Sequence, residues 1–255
     1  VSRSQALFGQ VTGHLSDTLS LTGGLRYTKD KKRLQQSVPK ARDITRDFNK
    51  LNWAASLDYQ MDDNVLLYGR IATGYKAGGL NARSANDGFG PENLISYEAG
   101  LKTELFGRRL RLNTAAFYTR LKDIQRSQFL SGSGGTVSNT VNAGRSRYVG
   151  FEAEAMAAIT NEFTLSANIG YIDRKFKEFD YLDPTTDQLI DIAGVSEFQG
   201  SAGTTISAAA DYRKPLSFGT FNARLDYNYR GRVYYTTSAV INPFHEEISD
   251  GPVGL

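Results

Sequence analysis

Leu19-Ser20-Leu21-Thr22-Gly23-Gly24-Leu25-Arg26-Tyr27 carries its apolar residues on one parity and its polar residues on the other. Successive side chains of a strand point to opposite faces. These nine residues therefore make a greasy face, Leu19, Leu21, Gly23, Leu25 and Tyr27, backed by Ser20, Thr22, Gly24 and Arg26. The pattern returns at Leu51, Trp53, Ala55, Leu57, Tyr59 and at Leu110, Leu112, Thr114, Ala116, Tyr118. Two further copies are Phe163, Leu165, Ala167, Ile169, Tyr171 and Phe221, Ala223, Leu225, Tyr227, Tyr229. The other parity of the alternating segments collects the charge, including Arg70, Glu98, Lys102, Glu104, Glu152, Glu154, Arg224, Asp226 and Arg230.

Ten segments alternate in this way: roughly 5–15, 19–29, 50–61, 65–76, 95–105, 109–121, 146–157, 163–173, 203–213 and 219–230. Each is longer than the five or six residues, or about that, of strands in soluble sheets. Short turns sit at 16–18, 62–64, 106–108, 158–162 and 214–217, and long polar stretches at 30–47, 77–94, 124–145, 174–202 and 231–255. Short and long connections take turns along the chain. An up-and-down sheet would then carry every short turn on one rim and every long loop on the other, as transmembrane barrels do.

Alternation alone also fits the core face of a soluble sandwich; the tyrosines separate the two. Leu19, Leu110, Phe163 and Phe221 are each followed eight residues on by Tyr27, Tyr118, Tyr171 and Tyr229, and Val65 is followed ten on by Tyr75. Eight residues at about 3.3 Å each, tilted by about 40°, climb roughly 20 Å, close to the height of an apolar band between aromatic girdles. All five rings share the apolar parity at the long-loop end and are expected to form a membrane girdle. Four charges also take that parity, Lys29, Arg120, Arg147 and Asp173, each at the long-loop end. The expected fold is all-β: an antiparallel up-and-down transmembrane β-barrel wall of about ten strands.

Composition narrows the rest. The longest strictly apolar run, 155–159, is far short of the roughly 20 residues of a membrane helix. No cysteine means no disulfide framework and no thiolate metal site. A net charge of +3 is too balanced to point to a nucleic-acid partner. Long outer loops suit barrels of about 22 strands, which at about 25 residues per strand need roughly 550 residues. The chain thus reads as one partial barrel over residues 1–255, a little under half of a wall. Its open edges are costly in lipid, so it is not expected to be stable alone.

Four stretches carry a family resemblance: NVLLYGRIATGYKAGGLN (64–81), PENLISYEAGLKTELFGRRLRLNTAAFYTRLKDIQ (91–125), GRSRYVGFEAEA (144–155) and LSLTGGLRYTKDKK (19–32). In consistent order they resemble the β-barrel of TonB-dependent outer-membrane receptors. The resemblance implies a 22-stranded barrel in the outer-membrane lipid of a Gram-negative bacterium, with an N-terminal plug domain inside it. On this reading the plug domain and the closing strands are expected to be absent from this chain. It further implies active uptake of a scarce substrate, foremost a ferric siderophore or another metal chelate. The TonB–ExbB–ExbD complex would drive that uptake through the N-terminal region, with no enzymatic activity and no cofactor.

Residue placement suggests the working parts. Arg83, Asn86, Phe89, Gln128, Phe129, Tyr181, Tyr234 and Tyr235 lie in long loops, where aromatic and polar side chains on a rigid scaffold form ligand sites. The inward charges Arg70, Glu98, Lys102, Glu104, Glu152, Glu154, Arg224, Asp226 and Arg230 are expected to line the lumen and meet the plug. Gly74-Tyr75-Lys76-Ala77-Gly78-Gly79 lacks the spacing and following helix of a phosphate loop and reads as a strand exit. The acidic run Asp180, Asp183, Asp187, Asp191 lacks calcium-loop spacing and reads as a solvated face. No metal site is expected. A passive porin-like channel shares the wall chemistry and is the alternative. An outer-membrane hydrolase is disfavoured, because His14 and His245 are the only histidines and fall near opposite rims.

Overall fold

The computed structural model describes residues 1–37, 41–82, 87–132, 135–183, 186, 188–235 and 247–248, without the side chains of 128–138 and 247–248. Ten long strands form one antiparallel sheet in chain order. They are β1 (Ser2–His14), β2 (Leu19–Gln36), β3 (Arg42–Asp62), β4 (Val65–Lys76) and β5 (Glu92–Leu105). Then follow β6 (Leu110–Lys122), β7 (Arg145–Ala158), β8 (Phe163–Glu178), β9 (Thr204–Leu216) and β10 (Gly219–Arg230). Among the described residues no helix is long and apolar enough to cross a membrane.

Register confirms the two faces. Leu21 stands opposite Leu57, and Leu57 opposite Gly69. Farther along, Leu112, Ala155, Ala167, Ala208 and Tyr227 follow one another across β6 to β10. Among the described residues no protein layer covers this outer face: Leu21 is 46 % exposed, Leu57 45 % and Leu225 72 %. A soluble sheet would not leave such a surface to water. The buried apolar cluster lies elsewhere, at the long-loop rim, where Leu121, Ile124, Ala143, Phe176, Phe179, Tyr181, Ile192 and Phe198 pack together.

The short turns are closed locally. Asp62 Oδ1 accepts the Asn64 amide at 2.7 Å, and Thr160 Oγ1 accepts those of Glu162 and Phe163 at 3.1 and 3.0 Å. These side-chain caps satisfy backbone donors at the tight reversals.

Two expectations need correction. Residues 30–47 were expected as a loop, yet β2 runs on to Gln36 and β3 starts at Arg42. The pairs Lys31–Asp47 to Gln36–Arg42 continue the ladder beyond the tyrosine level, and Arg33 holds Asp43 at 2.5 Å. Water bathes both faces there, so polar side chains fit on either parity and no alternation marks the strand. The other correction concerns Tyr75. Its hydroxyl donates to Asp30 Oδ2 at 3.0 Å, and Asp30 has the inward parity of β2. The β3–β4 ladder ends at Ala54–Ala72, and Thr73 Oγ1 bonds the backbone N–H and C=O of Trp53 instead. Freed from β3, the end of β4 reaches across to β2, so Tyr75 is a strand-to-strand tie rather than a girdle ring. Tyr27, Tyr118, Tyr171 and Tyr229 keep the outward parity.

Candidate functional site at the loop-side mouth

The inner wall is polar from strand to strand. A concavity is lined by Tyr68, Lys102, Asn113, Glu152, Glu154, Asn168 and Thr205. Arg70 stands opposite Glu98 across β4 and β5. The Lys102 ammonium lies 5.7 Å from the Tyr68 ring centroid, and Asn113 Nδ2 donates to Glu154 at 3.3 Å. Near the short-turn rim Glu104 pairs with Arg111 at 2.7 Å and Arg108 at 3.2 Å. Arg224 pairs with Asp211 at 3.0 Å and with Asp226 at 2.8 Å, while Arg230 lines a neighbouring hollow with Asn168 and Asn228. Exposed pairs of this kind add little stability; their effect is to fix charged heads facing the lumen.

Above this wall the long loops are laced into one rim. Residues Gly79–Leu80 pair with Gly88–Phe89, Gln125–Gly132 with Gly135–Asn142, and Asp180–Asp183 with Gln188–Asp191. Asn81 clamps Thr140, donating to its carbonyl at 2.8 Å and accepting its amide at 3.0 Å. Asn142 does the same to Gly90, at 3.0 and 2.6 Å. Gln125 Nε2 donates to the carbonyls of Ala77 at 2.9 Å and Gly90 at 3.1 Å. Side-chain amides thus act as extra peptide groups and hold two loops together without a shared ladder.

At the edge of the buried cluster two arginines lie against aromatic rings. Tyr148 in β7 and Arg174 in β8 are inward-facing Cα partners. Phe176 and Phe198 stack with centroids 4.0 Å apart, and Tyr148 meets Phe198 edge-on at 5.3 Å. The Arg126 guanidinium sits 5.3 Å from both the Phe176 and Phe198 centroids, and Arg174 lies 5.8 Å from Phe198. Burial pushes the Arg126 pKa down, but guanidinium remains charged at any physiological pH. Its Nε is buried without a hydrogen-bond partner. Arg174 donates from Nη2 to the Ser201 carbonyl, so the two cations are fixed beside the rings, an arrangement chemically suited to an anionic ligand.

The loop residues picked out by sequence are not gathered into one site. Arg83 and Asn86 lie outside the described residues. Gln128 and Phe129 occupy strand positions opposite Asn139 and Ser138, and their side chains lie outside the described residues. Phe89 stacks over Gly79, its direct partner, whose Cβ would stand 2.4 Å from the ring. Tyr181 is a correction: at 8 % exposure it belongs to the buried cluster and packs the loop instead of presenting to ligand. Tyr234 bridges to Gln199, and Tyr235 is 57 % exposed. In the acidic run, Asp191 Oδ1 accepts the amides of Phe179 and Ala193, both at 2.9 Å, which holds its carboxyl below the usual range. Asp187 lies outside the described residues.

Sequence reasoning missed Arg126, Tyr148, Arg174, Phe176 and Phe198. Tyr148 already lay within the alternating segment 146–157, and parity would have paired it with Arg174 had the segment 163–173 been extended by one residue. The placement of Phe198 and Arg126 depends on how the loops fold back, which alternation does not encode.

A ten-stranded up-and-down sheet with a lipid-ready outer face, a polar lumen and a laced rim matches one family across residues 1–252: the TonB dependent receptor-like β-barrel. The chain belongs to that family. It is therefore a segment of an outer-membrane barrel of the Gram-negative type. It is 33 % identical over 159 residues to the pesticin receptor of Yersinia enterocolitica, covering 59 % of this chain and 23 % of that protein. It is 29 % identical over 115 residues to the metal-pseudopaline receptor CntO of Pseudomonas aeruginosa, covering 45 % and 15 %. Among solved structures, the ferric yersiniabactin uptake receptor FyuA from Yersinia pestis aligns with a TM-score of 0.70 at 21 % identity, over 92 % of this chain and 35 % of that one. The siderophore receptor PiuA from Acinetobacter baumannii gives 0.68 at 19 %, over 91 % and 34 %. The chain thus matches between 15 % and 35 % of the length of these relatives, and the structural likenesses speak for the fold.

Proposed function

We propose that the protein carrying this wall is an active-transport receptor of the outer membrane that takes up a ferric siderophore. The inward charges from Arg70 to Arg230 would dock a plug domain, within a barrel of 22 strands. The TonB–ExbB–ExbD complex would supply the energy through that plug. The observation that carries the substrate class is the pair of guanidiniums, Arg126 and Arg174, seated on Phe198 at the mouth. Siderophores bind iron through hard, anionic oxygen donors, often on aromatic rings, and such a chelate is both negative and planar in part. Fixed guanidiniums, charged and flat, match both properties. The names of relatives, a ferric yersiniabactin uptake receptor and a metal-pseudopaline receptor, support a metal-chelate substrate.

The test is uptake of radio-iron by a deletion strain carrying the complete gene, offered ferric catecholate, hydroxamate and carboxylate chelates in turn. Energy-dependent uptake of one of them, lost in Arg126→Ala/Arg174→Ala, is the expected result. No uptake of any chelate, with steady ion conductance in planar bilayers, would replace this reading with a passive channel.

A further inference from the structure

Strands β6, β7 and β8 continue past the tyrosine level, and on the lipid-side parity their outer positions are mostly basic, with Asp173 the one acid before Lys175. Arg120 is the Cα partner of Arg147, and Arg147 that of Lys175. One rung farther out Lys122 is the partner of Arg145. Like charges directly opposite one another destabilise a sheet, so five cations on adjoining rungs are a standing cost. Among the described residues two carboxylates answer them: Asp173 pairs with Arg147 at 3.2 Å, and Glu178 pairs with Arg145. Arg120 has a long hydrogen bond to the Tyr97 hydroxyl at 3.4 Å. Lys122 and Lys175 are exposed, with no ion pair among the described residues.

Height decides what can reach them. Arg120 stands two residues beyond Tyr118, and Lys175 four beyond Tyr171. At about 3.3 Å per residue and about 40° of tilt, that is roughly 5–10 Å above the rings, in the headgroup layer of the outer leaflet. Parity excludes the lumen, because inward Thr119 and Leu121 lie between these positions and a ligand at the mouth.

We propose that Arg120, Lys122, Arg145, Arg147 and Lys175 form a binding site for the phosphate groups of an outer-leaflet lipid. Neighbouring strands about 4.8 Å apart and alternate residues about 6.6 Å apart make a rigid grid of donors. Guanidinium forks engage phosphate oxygens in pairs. Because the cations sit on strands rather than loops, the site is organised before the lipid arrives. The inference uses the facing of the wall alone and stands whatever substrate the barrel carries.

The complete receptor, purified in detergent, is mixed with diphosphorylated lipid A, with the same lipid after phosphatase treatment, or with phosphatidylethanolamine, and bound lipid is counted by native mass spectrometry. Selective retention of the phosphorylated lipid is expected. Arg120→Gln/Arg147→Gln/Lys175→Gln should lower it by about tenfold or more, while Lys214→Gln at the opposite, short-turn rim leaves it unchanged. Arg120→Lys/Arg147→Lys, which keeps the charge, should retain most of it. Faster migration before heating, the mark of a closed barrel, selects assembled protein for each comparison. Equal retention by the glutamine variant, or equal binding of dephosphorylated lipid, would overturn the proposal. So would full competition by millimolar inorganic phosphate, which would mark a free-anion site.

Discussion

The ring of Tyr68 in β4 lies over Gly100, its direct cross-strand partner in β5. A Cβ on Gly100 would stand 2.4 Å from the ring carbons. Glycine is therefore required by close approach, and Lys102 on the same face holds the ring in place from 5.7 Å.

Gly100→Val should displace that ring and lower the stability of the complete barrel by about 1–3 kcal/mol, the usual cost of overpacking. The midpoint of urea unfolding, followed by the heat-sensitive gel shift, reads the change. Adding Tyr68→Ser should return part of the loss. An unchanged midpoint for Gly100→Val alone would mean that the ring is free to leave.

The lipid-side row supplies a second prediction. Leu112 and Ala167 both flank Ala155, on the uncovered face midway along the strands. Leu112→Arg or Ala167→Arg should impair assembly, since an outward charge at mid-bilayer costs about 2–4 kcal/mol. Ser166→Arg, one residue away and facing the lumen beside Met156 and Ala209, should assemble nearly as well as the parent. Folded yields in outer-membrane fractions measure all three, and equal loss from Ser166→Arg would reverse the facing.

What the sequence reveals follows from period two. Each wall strand is amphipathic because lipid lies on one side and polar lumen on the other, so Leu19 to Tyr27 announces both strand and facing. Where both sides are wet the signal vanishes: the Lys31–Asp47 to Gln36–Arg42 rungs are strand in the structure and look like loop in the sequence. The mouth is illegible for another reason. Arg126 meets Phe198 only because the buried cluster around Phe176 and Phe179 folds one loop against another, and no local pattern encodes that approach. Tyr181 shows the reverse error, since an aromatic in a long loop looks available to ligand until its neighbours are known.

Asp191 gives a pH prediction. Two backbone amides, those of Phe179 and Ala193, stabilise its ionised form, so its folded pKa lies below the unfolded value. A depressed carboxyl contributes its full stability above the unfolded pKa of about 3.9 and loses it as pH falls through the folded value. Loop 179–193 should therefore hold its order from neutral pH down to about pH 5 and loosen only in stronger acid. Hydrogen exchange at Phe179 and Ala193, corrected for intrinsic rates, checks this. Asp191→Asn should flatten the acid response and exchange faster at neutral pH.

The tie between Tyr75 and Asp30 separates two roles for the same ring. An interfacial anchor works through its ring, so Tyr75→Phe would be nearly neutral there and indifferent to residue 30. In the structure the hydroxyl donates to a carboxylate only 7 % exposed. Removing the donor leaves a buried acceptor unsatisfied, at a cost of about 1–3 kcal/mol. Tyr75→Phe should therefore destabilise the barrel measurably in urea. Replacing both partners with apolar groups removes the unmet acceptor together with the donor, so Tyr75→Phe/Asp30→Leu should recover most of the loss. A neutral Tyr75→Phe, or a double variant weaker than either single one, would return Tyr75 to the girdle.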